Sequence, residues 1–303
     1  MLNAAVRFKP DIVFTAAPSL MSAPVAWLSA KIARSPCWLH IQDFEAEASF
    51  ATCLLRRNSA IGQLALSFEK KIIKLFDPVS TISPEMCKKL LYYGINPQCV
   101  IEFRNWAELE LIFPLKQPSG YRRRWNISTR HVALYSGNIA NKQGIEIVLD
   151  AAKILQHRDD LTFVVCGQGP NRSKIEKMAL GLRNIRFFDL QPQECLNELL
   201  GLATVHLLPH KRDAADLVLP SKLTNMPASG RPVVATAAAG TSLVREVEGA
   251  GLMVPPNDSA QFARAVVQLI ESPELWEQYR AGDMPPNTLA GNLGASFLTH
   301  SRV

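Results

Sequence analysis

Short apolar segments rich in β-branched residues alternate with amphipathic segments along most of the chain, and this alternation constrains the fold more than any other feature. HVALYSGN (131–138) has the composition of a buried strand, whereas GIEIVLDAAKILQ (144–156) has apolar residues at helical spacing. Strands that alternate with helices predict a parallel sheet covered by helices on both faces. We therefore predict an α/β fold built from doubly wound, Rossmann-like parallel sheets.

The alternation occurs in two blocks, separated by residues 107–130, whose prolines and glycine favour an irregular segment. We place a domain boundary here and predict a first domain over 1–112, a second over 113–282 and an irregular tail over 283–303. The first block lacks the opening strand and glycine-rich turn typical of a doubly wound domain. We therefore expect the first domain to be partial and the chain to be truncated at its N-terminus.

The two blocks together contain ten predicted strands and eight predicted helices. The predicted strands are 10–19, 37–43, 78–83, 99–106, 131–138, 161–170, 185–191, 205–210, 231–238 and 249–256. The predicted helices are 23–33, 60–76, 84–94, 144–156, 172–181, 192–203, 221–229 and 259–272. Because ligands of open α/β sheets bind beyond the carboxyl ends of the strands, the residues that end each strand are the candidate site residues.

Composition narrows the class of protein. Of the 303 residues, 48% are hydrophobic and 20% are charged, as expected of a packed globular protein. The net charge of +6 fits an anionic ligand or an anionic membrane surface, but no nucleic-acid-binding motif accompanies it, so we predict no nucleic-acid partner. None of the six cysteines has Cys-x-x-Cys spacing, which favours reduced thiols in a cytoplasmic protein. No apolar run is long enough to predict a membrane span.

The segment 60–76 places six apolar residues on one helical face, the pattern of a helix that packs on a core. These residues are Ile61, Leu64, Ala65, Phe68, Ile72 and Leu75. Lysines 70, 71 and 74 lie off this stripe, and with Arg56 and Arg57 they form a basic set. A solvated basic face is the simpler interpretation, and peripheral contact with the anionic inner face of a membrane is the alternative.

Glycines and a lysine follow two predicted strands of the second domain. Gly137 and Asn138 end the strand at 131–138, Lys142 precedes the next helix, and Gly167 opens the turn GQGP. Free N–H groups at a helix start, with a lysine beside them, can bind phosphate. A capped helix with an exposed lysine explains the same residues equally well, and a lone Gly-x-Gly is weak support for a ligand.

LPHKRDAADLVLPSKLTN (208–225) brings cations, carboxylates and a helix start together. Ser221 is suited to cap the following helix, but Lys222 in its first turn opposes the helix dipole. A bound diphosphate would reverse this penalty, and Asp216 would then face a sugar hydroxyl. Asp213 and Asp216 lack Asp-x-Asp spacing, so no metal is predicted. A solvated loop that ends in a helix cap is the alternative.

In the first domain, His40 and Asp43 stand at the end of the strand 37–43. A histidine at a strand end can contact a ligand. A buried histidine whose hydrogen bonds are satisfied within the core is equally consistent with this position. Both interpretations stay open.

Six motifs together resemble a known family. They are LHIQDFE, VSTIS, FRNW, LYSGNIANKQGIE, VVCGQGP and LPSKLTNMPASGRPVVAT. As a set, they resemble the retaining GT-B glycosyltransferases of family 4, and most of all the bacterial exopolysaccharide enzymes of the colanic-acid type. The similarity extends from the first residues to about residue 280, and it is specific for the set rather than for any single motif.

The resemblance implies two Rossmann-like domains, with a nucleotide-sugar donor held mainly by the second. It also implies transfer of the sugar, with retained anomeric configuration, to a lipid-linked saccharide, without cofactor or metal. By position, His40 and Asp216 correspond to catalytic residues, and His40 is expected to face the donor sugar. The residues implied in donor binding are Gly137, Asn138, Lys142, Gly167, Ser221, Lys222, Leu223 and Asn225.

Two departures from the family pattern bear on activity. Asn225 stands where the family has the glutamate that binds the ribose, and an amide binds a hydroxyl less strongly than a carboxylate does. The family's opening βα units are also absent. A truncated, non-catalytic, nucleotide-binding remnant is therefore the alternative. A nucleotide-sugar epimerase shares the alternation, but SGRPVVAT (229–236) fits the transferase pattern better.

Overall fold

The computed structural model describes residues 7–17, 22–51, 55–105, 110–211, 222–238 and 241–280. These residues form two compact units, which divide between Arg104 and Asn105. Each unit contains its own parallel sheet. The chain therefore has the two-part organisation that the two blocks of alternation predict.

The division between the units precedes the predicted boundary at 112/113. Ile112 already packs against Leu200 and Ala228 of the second unit, which explains why the second unit begins earlier. The predicted tail, residues 283–303, lies outside the described residues.

The sheet of the first unit has four parallel strands in the order β1-β2-β3-β4. They are β1 (Val13–Ala17), β2 (Cys37–Ile41), β3 (Val79–Thr81) and β4 (Val100–Glu102). Its helices are α1 (Ala23–Ala33), α2 (Glu45–Ala51), α3 (Ala60–Ile73) and α4 (Pro84–Tyr92), with a 3-10 turn at Pro97–Cys99. Leu39 and Ile41 of β2 point to one side of the sheet and pack there with Ile73 of α3 and Leu90 of α4.

The sheet of the second unit has six parallel strands in the order β10-β9-β8-β5-β6-β7. They are β5 (His131–Ser136), β6 (Leu161–Cys166), β7 (Ile185–Phe188), β8 (Val205–Leu208), β9 (Val233–Thr236) and β10 (Gly251–Val254). The helices are α5 (Tyr121–Arg124), α6 (Glu146–Ile154), α7 (Arg172–Met178), α8 (Leu196–Leu200), α9 (Lys222–Ala228), α10 (Ser242–Val247), α11 (Ser259–Glu271) and α12 (Pro273–Arg280). Single 3-10 turns lie at Asn141–Gln143 and Gln193–Cys195.

Both faces of the second sheet are covered. Tyr135 of β5 and Phe163 of β6 point to the face where α11 contributes Phe262 to the core. Their neighbours Leu134 and Val164 point to the other face, with α8. A strand buried on both sides has no solvated face, which is why β5 and β6 are continuous apolar runs in the sequence. The predicted α/β class with two parallel sheets is confirmed, and the second sheet is doubly wound.

All predicted strands and helices correspond to elements of the structure, with bounds that differ by a few residues. Helix α1 has the predicted bounds, Ala23–Ala33. Helices α2, α5, α10 and α12 are not predicted from the sequence. Each has eight residues or fewer, a length over which apolar periodicity is a weak signal, although the equally short α7, α8 and α9 are predicted. Within the described part of the chain, no helix combines the length and the apolar character needed to cross a membrane.

Helix α3 is rotated away from the orientation that its apolar stripe predicts. Ile72 is buried as expected, but Ile61, Leu64 and Phe68 are exposed, so the prediction that the stripe packs on the core is wrong for them. The buried side of the helix contains Glu69 instead. Glu69 Oε2 accepts a hydrogen bond from the backbone N–H of Ala46 at 2.9 Å, and its Oε1 accepts one from the Tyr93 hydroxyl at 3.2 Å.

Replacing Glu69 with leucine tests whether this carboxylate sets the rotation of α3. The Ala46 N–H would be buried without an acceptor, so we expect Glu69→Leu to lower the free energy of unfolding by about 2 kcal/mol. Urea denaturation followed by circular dichroism measures this change. The matched control is Glu277→Leu, which removes an exposed carboxylate and should change stability by less than about 0.5 kcal/mol. Equal stabilities of the two variants would contradict the assigned role.

Candidate active site

The order in which the chain adds strands to the second sheet reverses between β5 and β8. From β5 the chain adds β6 and then β7 on one side, and it returns to the other side of β5 to add β8, β9 and β10. At such a switch point, the loops that follow the two central strands diverge to opposite sides and leave a crevice at their carboxyl ends, where ligands bind in open α/β sheets. The residues after β5 and β8 are therefore the candidate site of this unit.

The turn after β5 packs directly on the turn after β6. A Cβ atom at Gly167 would lie 1.8 Å from the Gly137 carbonyl oxygen, so only glycine fits. Gly137 N–H donates to the Cys166 carbonyl at 2.9 Å, and Ile139 N–H donates to the Gln168 carbonyl at 2.8 Å. The structure thus brings the predicted residues Gly137 and Gly167 together as one backbone surface without side chains.

Asn138 belongs to the same surface. It is exposed, and its side-chain oxygen would lie 2.6 Å from a Cβ atom at Gly169. Its carbonyl oxygen accepts a hydrogen bond from the buried Tyr135 hydroxyl at 2.5 Å. The Tyr135 side chain of β5 therefore holds the Asn138 backbone in place, while the Asn138 amide is exposed beside Gly169 in the turn after β6.

The turn after β5 also reaches the residues that follow β8. Gly144, with φ of 61°, is so close to this segment that an added Cβ atom would lie 3.2 Å from Lys211 Cγ and 3.5 Å from the His210 carbonyl carbon. The backbone of Lys142 lies in the 3-10 turn just before Gly144. The neighbouring Gln143 is buried, and its side-chain oxygen has no hydrogen-bond partner among the described residues. Gln143 is not a predicted site residue, because an amide between a lysine and a glycine gives no signal in the sequence.

Charged side chains surround Glu146 in the first turn of α6. Its Oε1 lies 3.9 Å from Lys211 Nζ and 3.9 Å from Lys174 Nζ of α7. Both pairs are long and partly exposed, so they bind weakly and leave the two ammonium groups able to bind another anion. Neither Glu146 nor Lys174 is predicted from the sequence, because they come from two different helices. Within the described ranges, no three His, Cys, Asp or Glu side chains are grouped as metal ligands.

A buried histidine anchors α9 to the centre of the sheet. The Ser229 hydroxyl donates to the Met226 carbonyl at 2.6 Å, and His206 Nε2 lies 3.0 Å from the Ser229 oxygen. Because serine has one hydroxyl proton, His206 Nε2–H is the donor of this second bond, and Nδ1 carries no proton. The end of α9 is thus fixed to β8, which in turn positions its first residue, Lys222.

The predicted donor-binding residues of α9 differ in exposure. Leu223 is buried, so its side chain belongs to the core of the second unit, whereas Asn225 is half-buried. Lys142 and Lys222 are described by their backbone only. Asp216 and Ser221 lie outside the described residues, and their assigned roles stay predictions.

His40 lies on β2 of the first unit, where the sheet register pairs it with Ser80 of β3. Its Nδ1 lies 2.9 Å from Ser80 Oγ, which also accepts a hydrogen bond from Trp38 Nε1 at 2.7 Å. The ring is stacked on Phe14 and meets Phe103 edge-on, with centroids 6.0 and 5.4 Å away.

Burial controls the protonation of His40. The residue is 4% exposed, and removal from water lowers the pKa of its imidazole. The ring is therefore neutral at pH 7, and Ser80 and the two phenyl rings fix its orientation. These contacts fit the interpretation of a satisfied buried histidine, and the role of His40 toward a ligand stays a prediction.

Substitution of Gly167 tests the contact between the two glycine turns. Alanine at this position would force the turns apart, and we expect Gly167→Ala to cost about 3 kcal/mol of unfolding free energy. Gly181→Ala is the matched control: Gly181 has φ of 89° but no atom near its added Cβ, so only backbone strain of about 1 kcal/mol is expected. Urea denaturation compares the two variants, and a larger loss for Gly181→Ala would contradict the packing argument.

The burial of His206 makes the second unit sensitive to acid. Burial, with a smaller effect of Arg231, lowers the pKa of His206 from 6.5 to about 3. Below pH 6.5 the unfolded chain binds a proton that the folded chain does not, so stability falls by about 1.4 kcal/mol per pH unit as the pH decreases toward 3.

His206→Gln keeps a donor to Ser229 but does not titrate. Urea unfolding between pH 7.5 and 4.5, with ranges chosen to bracket a histidine pKa of ~6.5, should give a shallower pH slope for this variant than for the wild type. Equal pH slopes of the unfolding free energy for the two proteins would show that folded His206 binds a proton in this pH range as readily as it does in the unfolded chain.

Known proteins resemble this chain in sequence and in fold. Residues 130–272 match the family model for glycosyl transferases group 1. The putative colanic acid biosynthesis glycosyl transferase WcaI of Escherichia coli K12 is 37% identical over 283 residues, which cover 90% of this chain and 69% of that protein. Alpha-D-kanosaminyltransferase of Streptomyces kanamyceticus is 31% identical over 54% of this chain and 42% of its own length.

The crystal structure of Anabaena Alr3699/HepE in complex with UDP superposes with a TM-score of 0.74 over 92% of this chain and 73% of that one, at 16% identity. Sucrose-phosphate synthase from Thermosynechococcus elongatus superposes with a TM-score of 0.71, covering 92% of this chain and 69% of that one, at 18% identity. At this level of identity the two structures establish the fold, and the E. coli relative establishes the family. The chain therefore belongs to the group 1 glycosyltransferases, enzymes of the GT-B fold.

Proposed function

We propose that this protein transfers a sugar from a nucleoside diphosphate sugar to a lipid-linked saccharide, with retained anomeric configuration, in an exopolysaccharide pathway of the colanic-acid type. The name of the E. coli relative, at 37% identity, supports this pathway. The related fold of Anabaena HepE was solved with UDP and with UDP-glucose, which supports a uridine nucleotide as the donor's leaving group. The acceptor and the stereochemistry rest on the motif resemblance.

The observation that carries this proposal is the backbone surface at the switch point of the second sheet. Gly137 and Gly167 pack backbone against backbone with no side chain between their two turns, and Gly144 brings these turns against Lys211. A diphosphate is large and doubly charged, so it needs both close approach to backbone N–H groups and nearby cations. In our proposal, the diphosphate occupies this crevice.

Stabilisation of the departing diphosphate is the main catalytic contribution that we propose. Negative charge builds up on the nucleotide as the bond to the sugar breaks, and fixed cations stabilise that charge most where it develops. Lys142 and Lys222 are the cations proposed from their sequence positions, and Lys211 and Lys174 are added here because their ammonium groups lie beside Glu146. One such donor typically lowers the activation free energy by about 3–4 kcal/mol.

The remaining roles concern the sugars. A neutral His40 supplies a hydrogen bond, not a charge, to a donor sugar hydroxyl, and its contact with Ser80 keeps the ring in place. Asp216 binds another sugar hydroxyl, and the Asn225 amide takes the place of a carboxylate on the ribose. We propose a cytoplasmic location, which agrees with the five described cysteines being free.

Titration with UDP and GDP tests the donor site. We expect Lys222→Ala to weaken binding of the preferred nucleotide at least about tenfold, because a charge-assisted bond to phosphate is lost. Lys177→Ala, which removes an exposed cation of α7, is the matched control and should leave affinity unchanged. Equal affinities of wild type and Lys222→Ala, measured by calorimetry, would contradict the proposed diphosphate site.

A transfer assay distinguishes an active transferase from a non-catalytic nucleotide-binding remnant. Membrane extracts supply the acceptor, and a panel of nucleotide sugars supplies the donors. Release of nucleotide that depends on the acceptor supports the proposal. Tight nucleotide binding without any transfer, across the whole panel, would instead favour a non-catalytic nucleotide-binding protein.

A further inference from the structure

Helix α3 of the first unit carries an apolar stripe that faces solvent. We define the exposed stripe as Ile61, Leu64 and Phe68, which are 67%, 70% and 40% exposed. Leu75, in the turn just after the helix ends at Ile73, is 41% exposed. At 100° per residue, the three positions of the stripe fall within about 60° of one another around the helix axis. They therefore form one continuous surface and not a scatter of single exposed residues, which would need no explanation.

The exposure of this stripe is imposed by the other side of the helix. Glu69 is 2% exposed and accepts hydrogen bonds from Ala46 N–H and the Tyr93 hydroxyl, while Ile73 is fully buried in the core. Ser59 caps the N-terminus by accepting from the Gly62 N–H at 3.0 Å. Turning the stripe inward would break both bonds to Glu69 and expose Ile73, so the outward orientation is a stable property of the fold.

Cations flank the exposed stripe. Residues 55–76 contain five of them and a single acidic residue, Glu69, which is buried. Lys71 is exposed next to Phe68 in the helical projection, and Arg56 and Arg57 are exposed just before the helix begins. The outward surface of this segment is thus apolar and positively charged at once.

Helix α1 adds apolar surface to the same layer. It contributes Ala23 and Ala30 to the core that also contains Ile73 of α3, so both helices pack on the same face of the first sheet. Its outer side exposes Val25, Leu28 and Ile32. The apolar outer surface of this helical layer therefore extends beyond α3.

We propose that the exposed stripe of α3 docks this protein on the anionic surface of a lipid bilayer. Apolar side chains on one face of a helix insert at the boundary of the acyl chains, and flanking lysines and arginines are attracted to anionic headgroups. Pairing of two copies through this surface is disfavoured, because it would bring two sets of cations together. The docking does not depend on sugar transfer, so it holds or fails independently of the proposed function.

Sedimentation with vesicles tests this inference on the 303-residue chain. Wild type should bind vesicles of phosphatidylcholine with about 30% phosphatidylglycerol, bind pure phosphatidylcholine at least about tenfold more weakly, and dissociate in about 0.5 M NaCl. Leu64→Glu should weaken binding to the anionic vesicles at least about tenfold, and Lys71→Glu should weaken it by about fivefold. Both positions are exposed, so the variants are expected to fold, and circular dichroism checks this.

Matched controls place the same changes elsewhere. Leu180→Glu replaces an exposed leucine of the second unit, and Lys177→Glu reverses an exposed cation there; both should bind like the wild type. The inference is overturned if the wild type does not bind the anionic vesicles, or if Leu64→Glu binds as well as Leu180→Glu. It is also overturned if the wild type ignores vesicles and instead forms dimers that Leu64→Glu abolishes, as measured by analytical ultracentrifugation.

Discussion

Close contact between two glycine turns is the constraint on which the candidate site depends. The carbonyl of Gly137 occupies the space where any other residue at position 167 would carry its Cβ atom. This contact brings the carboxyl ends of β5 and β6 together, next to the point where the strand order reverses. Parallel sheets provide a crevice at such a point, but only residues without side chains let a large anion approach the backbone.

The surroundings of these turns supply charge from elements that are distant in the sequence. Lys174 on α7 and Lys211 after β8 meet at Glu146 on α6, although none of the three elements follows another directly. His206 acts indirectly, because its hydrogen bond to Ser229 fixes the end of α9, whose first residue is Lys222. Strands β5, β6 and β8 thus contribute to the site through the loops and helices that follow them.

The fold could be predicted from the sequence because the apolar periodicity that indicates strands and helices is local and recurs along the chain. Ten strands and eight helices appear where the periodicity places them, and helix α1 has the predicted bounds. The candidate site could be predicted only in part. Gly137 and Gly167 are found from their place after strands, whereas Glu146, Lys174 and Gln143 become neighbours of the site only through packing. The tautomer of His206 depends on a serine 23 residues away, which no local pattern indicates.

Helix α3 shows most clearly where pattern and packing separate. Its apolar residues recur at helical spacing, and that periodicity correctly predicts a helix, but it does not determine which side is buried. Glu69 with its two hydrogen-bond donors and the buried Ile72 and Ile73 together hold the helix in this rotation, because turning it would leave the Ala46 N–H without an acceptor and expose Ile73. A hydrophobic pattern sets the existence of an element, and buried polar bonds set its rotation. Where the two disagree, apolar surface remains outside, and such surface is where a protein meets another phase or another molecule.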